Sequence, residues 1–121
     1  MDRAAAKELL HIRRWFGRVD EIVLRGRESY LSDDLLQEAG DSLMMKLGEA
    51  ANRLARLGVP TPEGVDWALA IANRNFIIHQ YDEIGRELTW QTLAADLPAW
   101  RDALPDAFSA AAAALADEPS P

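Results

Sequence analysis

The chain has 121 residues, a formal charge of −7 and no cysteine. That length suits one domain able to bury a core without metals or disulfides, and the missing Cys excludes a disulfide framework, a Cys-based zinc site and a thiol nucleophile. An acidic total also argues against general nucleic-acid binding, because the phosphate backbone must be met by positive charge.

The charge is unevenly placed. Residues 1–31 hold seven Lys/Arg against five Asp/Glu, and residues 82–121 hold two against eight. With only His11 and His79, no multi-histidine metal site can form within one chain, so no metal or cofactor is expected. Asp2, Arg3, Lys7 and Glu8 interrupt the first ten residues, so no signal peptide is expected. No apolar run approaches the roughly 18 residues of a membrane helix. The expectation is a cytoplasmic protein that does not engage membranes.

Leu9, Ile12, Phe16, Val19 and Val23 step by three and four, which predicts an amphipathic helix over residues 4–25, closed by Gly26. A second helix is predicted from Ser32 as N-cap, with Asp33 and Asp34 favouring its positive start. It carries Leu36, Gly40, Leu43, Leu47, Ala50, Leu54 and Leu57 and ends at Gly58. Gly40 is costly in a helix, so a close helix–helix approach is expected there.

Thr61-Pro62 reads as the start of a third helix, Thr as N-cap and Pro at the first position. Apolar residues lie nearly all round it, so it should be the most buried helix. Residues 82–88 read as a loop. The last helical region runs from Thr89 to Ala116, with Pro98 and Pro105 bending or splitting it. The fold class is all-α, an antiparallel bundle of four or five helices. It is a single domain over 1–116, with a frayed tail at 117–121.

The candidate chemistry lies in Arg74-Asn75-Phe76-Ile77-Ile78-His79-Gln80-Tyr81. One reading is structural: Arg74 as an ion-pair partner, His79 favoured by a helix C-terminus, Tyr81 as a core aromatic with its hydroxyl at the surface. The other is catalytic. Arg presents a planar fork of donors suited to a phosphate. His exchanges protons near neutral pH. Together they can cleave RNA: a base activates the ribose 2′-OH for in-line attack, an acid protonates the leaving 5′-oxygen, and Arg74 stabilises the phosphoryl oxygens. One His cannot comfortably serve both sides of that displacement, and a symmetric dimer would supply a second copy. In a straight helix positions 74 and 79 stand about 140° apart. The helix must therefore loosen or end near Ile78, or a π-bulge must intervene, and the regular helix is expected to stop close to His79.

Arg74-x4-His79-x-Tyr81, with polar Asn75 after the Arg, resembles the R-x4-6-H motif of HEPN-domain ribonucleases. More narrowly it resembles the HepT toxins of MNT/HepT toxin–antitoxin pairs. Gly48-Glu49-Ala50-Ala51, Trp67 and Ile71 ahead of the Arg, and Trp90 followed by Asp96-Leu97-Pro98 are similar to further family landmarks, so the likeness spans roughly residues 5–105. The resemblance implies a HEPN-like bundle, a homodimer and a metal-independent endoribonuclease. Arg74 and His79 would be its catalytic pair, with Asn75 and Tyr81 supporting. It implies as partner an MNT-type nucleotidyltransferase antitoxin that transfers AMP to Tyr81, where a bulky anion would repel an RNA phosphate.

The alternative is a non-catalytic helical subunit, the binding or regulatory half of a two-component nucleotidyltransferase. Other residues take plainer readings. His11 and the Arg13, Arg14 and Arg18 cluster read as a solvated helix face, Met44 and Met45 as packing, and Glu49 as a partner for Arg74 or Arg53.

Overall fold

A computed structural model describes residues 1–79 and 85–116. Among these there are helices and turns and no strand, as the all-α reading expects. Helix α1 spans Arg3–Leu24, α2 Arg27–Ser32, α3 Asp34–Arg56, α4 Trp67–His79, α5 Arg86–Gln91, α6 Leu97–Asp102 and α7 Pro105–Ala116. A π-helical segment, Thr92–Asp96, joins α5 to α6.

The long helices run antiparallel. Arg53, late in α3, hydrogen-bonds Glu8, early in α1. Arg101 at the end of α6 pairs with Asp20 towards the end of α1, and α7 then packs back along α1. The predicted stripes point into one shared core: Leu9, Ile12, Phe16 and Val19 from α1, Leu43, Leu47 and Leu54 from α3, and Leu93, Leu97, Leu104 and Phe108 from the last region are all buried. Burying each such side chain fully stabilises the fold by about 1.5–3 kcal/mol.

Helix ends follow local chemistry. Asp2 caps α1 by accepting from Ala5 N–H at 3.0 Å. Gly58 has φ +74°, and the N–H groups of Gly58 and Val59 reach back to the carbonyls of Ala55 and Leu54. That is the Schellman arrangement, and it needs the left-handed residue that Gly provides.

Several boundaries differ from the sequence reading. Ser32 ends a short helix, α2, and donates back to the Glu28 carbonyl at 2.9 Å. Asp33 is the cap of α3, its carboxylate accepting from Leu35 and Leu36 N–H. Helix α4 starts at Trp67 rather than after Thr61, because the Asp66 carboxylate takes the Leu69 N–H at 2.9 Å while its carbonyl takes the Ala70 N–H. Residues 86–88, read as loop, form the first turn of α5; residues 82–84 and the tail 117–121 lie outside the described residues.

The prolines act as expected, with an added device. Pro98 sits in the first turn of α6 and Pro105 opens α7. Before Pro98 the helix widens, and Leu97 N–H bonds the Thr92 carbonyl five residues back. This resets the register where Pro can offer no donor.

The expectation for α4 is corrected. It is largely apolar, yet Leu69, Phe76 and Ile78 are 37 %, 40 % and 41 % exposed, and Ala68 and Ala72 are exposed too. Among its residues 67–78 only Trp67, Ala70 and Ile77 are buried, because α3 is its main neighbour and covers one side. No described helix is long and apolar enough to cross a membrane.

Candidate functional site

Arg74 is held where α4 crosses α3, and Gly48 makes the crossing possible. A methyl group on Gly48 would lie 2.4 Å from Arg74 Cβ and 2.6 Å from the Ala70 carbonyl oxygen. Both are far inside van der Waals contact, so the backbones meet where only hydrogen fits. Gly40 also permits a close approach, but there the neighbours are the side chains of Leu93 at 2.9 Å and Tyr30 at 3.5 Å. The tighter crossing is the one beneath Arg74.

The next residue of α3 faces the same guanidinium. Glu49 Oε1 lies 3.8 Å from Arg74 Nε, close enough for an ion pair and too far for a hydrogen bond. Arg74 Nε is buried and makes no hydrogen bond among the described residues. Arg74 Nη1 donates to Asn75 Oδ1 at 2.9 Å. Glu49 is therefore a partner of Arg74. Arg53 pairs with Glu8, whose hydrogen bond and charge, with a smaller contribution from Glu49, raise its pKa above the ordinary Arg value.

α4 stays α-helical through His79, so the expected loosening near Ile78 does not occur within it. The expected stop close to His79 turns on residues from 80 onward, which lie outside the described residues. Arg74 and position 79 remain about 140° apart around the axis and do not share a face. Position 79 follows Asn75 and Phe76 by four and three residues, on the side of Leu69, Ala72 and Phe76. Arg74 sits at the α3 edge of the same helix. Gln80 and Tyr81 lie outside the described residues.

The chain re-enters the described structure at Gly85 through a polar anchor that sequence reasoning missed. Arg86 donates twice to Asp41, at 2.7 and 3.1 Å, and Asp41 is only 4 % exposed. The hydrogen bond that Arg86 donates to Asp41 outweighs burial and raises the Arg86 pKa above its usual value. Beside it, buried Tyr30 hydrogen-bonds Thr89 at 2.6 Å, and the Thr89 hydroxyl donates to the Arg86 carbonyl. This network fastens α5 to α3 and α2 just past the segment that carries Tyr81. A lone Asp inside an apolar helix face was the available signal, but its partner lies 45 residues away.

Between α3 and α4, a cleft of about 410 Å³ is lined by Asp41, Ser42, Met45, Ile77 and Ile78 among others. His11 is exposed beside Trp15, Arg13 and Arg14 are exposed, and Met44 is core, all in line with their plain readings.

The fold and site thus describe a helical bundle that presents an Arg-x4-His pair on one apolar helix. The model of the HepT-like family, described as ribonuclease HepT-like, matches residues 12–106, and the chain belongs to that family. No curated protein and no solved structure matches it.

Proposed function

We propose that this chain is the toxin of a toxin–antitoxin pair, a cytoplasmic, metal-independent endoribonuclease working as a homodimer. The observation that carries the reading is α4: within the span that matches the ribonuclease family, it seats Arg74 against α3 and continues as helix to His79. Arg74 binds the scissile phosphate and stabilises its developing charge. His79 exchanges the proton. The base takes the 2′-OH proton, the 2′-oxygen attacks phosphorus, and the 5′-oxygen leaves with a proton from the acid. A 2′,3′-cyclic phosphate and a 5′-hydroxyl remain.

The exposed apolar side of α4 supports the dimer. Leu69, Ala72 and Phe76 form a stripe in register with position 79. Covering that stripe with a second copy would bring two copies of α4 together and supply the proton donor or acceptor that one His cannot. Asn75, whose carbonyl already accepts from Arg74, steadies the guanidinium. An MNT-type nucleotidyltransferase neutralises the toxin by transferring AMP to Tyr81, adding negative charge beside the site.

Cleavage of single-stranded RNA in EDTA, by the wild type and by His79→Ala, tests this reading. The expected result is wild-type cleavage and a loss of about 10²–10⁴-fold in the variant. Equal activity of the two proteins would contradict it.

A further inference from the structure

A groove of about 610 Å³ lies between the second half of α1 and the first half of α3. Its lining is apolar at Ile22, Leu36 and Leu43 and carries the cations Arg18, Arg25 and Lys46 against one carboxylate, Glu21. The local balance is positive in a chain whose total is −7. Arg18 pairs with Glu21 at 2.9 Å, but both side chains are more than half exposed, and such pairs are worth little. Among the described residues, Arg25 and Lys46 have no acidic partner. Leu24, at the groove's edge, is 85 % exposed, an unusual position for a leucine.

The groove ends at Lys46, one helical turn along α3 from the partner of Arg74. Lys46 precedes Glu49 by one helical turn on α3, a spacing that makes them surface neighbours. Glu49 in turn contacts Arg74. The step from Lys46 to Arg74 crosses one carboxylate, Glu49, whose charge Arg74 balances, so the cations of the groove itself are Arg18, Arg25 and Lys46. Repeated cations along a trough fit a polyanion with evenly spaced charges, and a chain of the ribonuclease HepT-like family has RNA as the polyanion to expect there.

We infer that this groove carries the single-stranded RNA outside the cut, with Lys46 and Arg25 each meeting a backbone phosphate. The inference rests on the ribonuclease reading and names its substrate path. Among the described residues no aromatic side chain lines the groove, so phosphate contacts rather than base stacking dominate, and binding depends strongly on salt.

The test uses the full chain and a fluorescein-labelled, 2′-O-methylated single-stranded RNA, which lacks the attacking hydroxyl and cannot be cut by this mechanism. Fluorescence anisotropy reads the affinity. Arg25→Glu/Lys46→Glu should bind at least tenfold more weakly than wild type. Its slope of log affinity against log salt should be shallower by about 1.4, two phosphate contacts at about 0.7 each on a single strand. Lys46→Arg should keep wild-type affinity. Arg13→Glu changes an exposed cation about 140° round α1 from Arg18 and should weaken binding far less than Arg25→Glu alone. Wild-type affinity in the groove variant, equal weakening by Arg13→Glu and Arg25→Glu, or no RNA binding by the wild type would each overturn the groove. The ribonuclease reading is scored separately on unmodified RNA. Binding without cleavage would end that reading and leave the groove; cleavage with undiminished affinity in the groove variant would do the reverse.

Discussion

Arg74→Ala is expected to lower RNA cleavage by about 10²–10³-fold, the loss typical of removing one donor that stabilises a developing oxyanion. The stability cost should be small. Among the described residues Arg74 donates only to its neighbour Asn75, and its contact with Glu49 is 3.8 Å long and partly exposed. Thermal melting followed by circular dichroism should therefore move little while activity collapses. Arg74→Lys separates charge from geometry: it keeps the cation and loses the planar fork, and should recover only part of the rate. Full recovery by Lys would mean that a point charge suffices. No loss in Arg74→Ala would remove this residue from the chemistry.

Gly48→Ala is the second large expected effect, and its sign is set by a competition. Replacing a mid-helix Gly by Ala gains about 1 kcal/mol of helix propensity. Against that, the new methyl meets Arg74 Cβ and the Ala70 carbonyl oxygen at 2.4 and 2.6 Å. A backbone oxygen cannot swing aside, so α3 and α4 must separate, and overpacking of this kind costs about 1–3 kcal/mol. The clash wins, and net destabilisation of about 1–2 kcal/mol is expected, a fall in Tm of roughly 4 °C per kcal/mol for a chain of this size. Gly17 is the internal control. It also lies within a helix, α1, but a methyl there meets nothing within 4 Å. Gly17→Ala should therefore stabilise by about 0.5–1 kcal/mol. Cleavage at a temperature where both variants are folded should drop only in Gly48→Ala, because the clash displaces Arg74. A Gly48→Ala protein that melts higher than wild type would show that the crossing is looser than the structure has it.

These two substitutions mark what the residues alone make legible. Arg74, Asn75 and His79 could be singled out because the chemistry of cation and imidazole is local in sequence and their spacing is short. The long helices were readable because Leu9 to Val19 and Leu43 to Leu54 repeat at the helical period. Gly40 announced a close approach, but nothing local ranked Gly48 as the tighter crossing, since that depends on which part of α4 lies opposite. Asp41 and Arg86 lie 45 positions apart, and their pairing decides where α5 begins. The start of α4 turned on Asp66, whose carboxylate takes the Leu69 N–H, capping the helix in place of Thr61. The exposure of Phe76 and Ile78 was hidden for a different reason: an apolar helix looks buried in sequence whether or not its own chain covers it.

The Asp41–Arg86 pair also limits how the site responds to change. The raised pKa of Arg86 keeps it charged at any working pH, so the stabilisation lost on its deprotonation lies in strong alkali, above the ordinary Arg value. Around neutral pH the pair holds α5 to α3, and pH dependence of cleavage should come from the catalytic proton transfers instead.

The central claim is that the chain cuts RNA through its own 2′-hydroxyl, with Arg74 and His79 and without a metal. End-group analysis by mass spectrometry of a single-stranded RNA digested in EDTA tests it most directly. The account predicts fragments ending in 2′,3′-cyclic phosphate with 5′-hydroxyl partners. Intact RNA, or fragments bearing a 5′-phosphate and a 3′-hydroxyl, would contradict it.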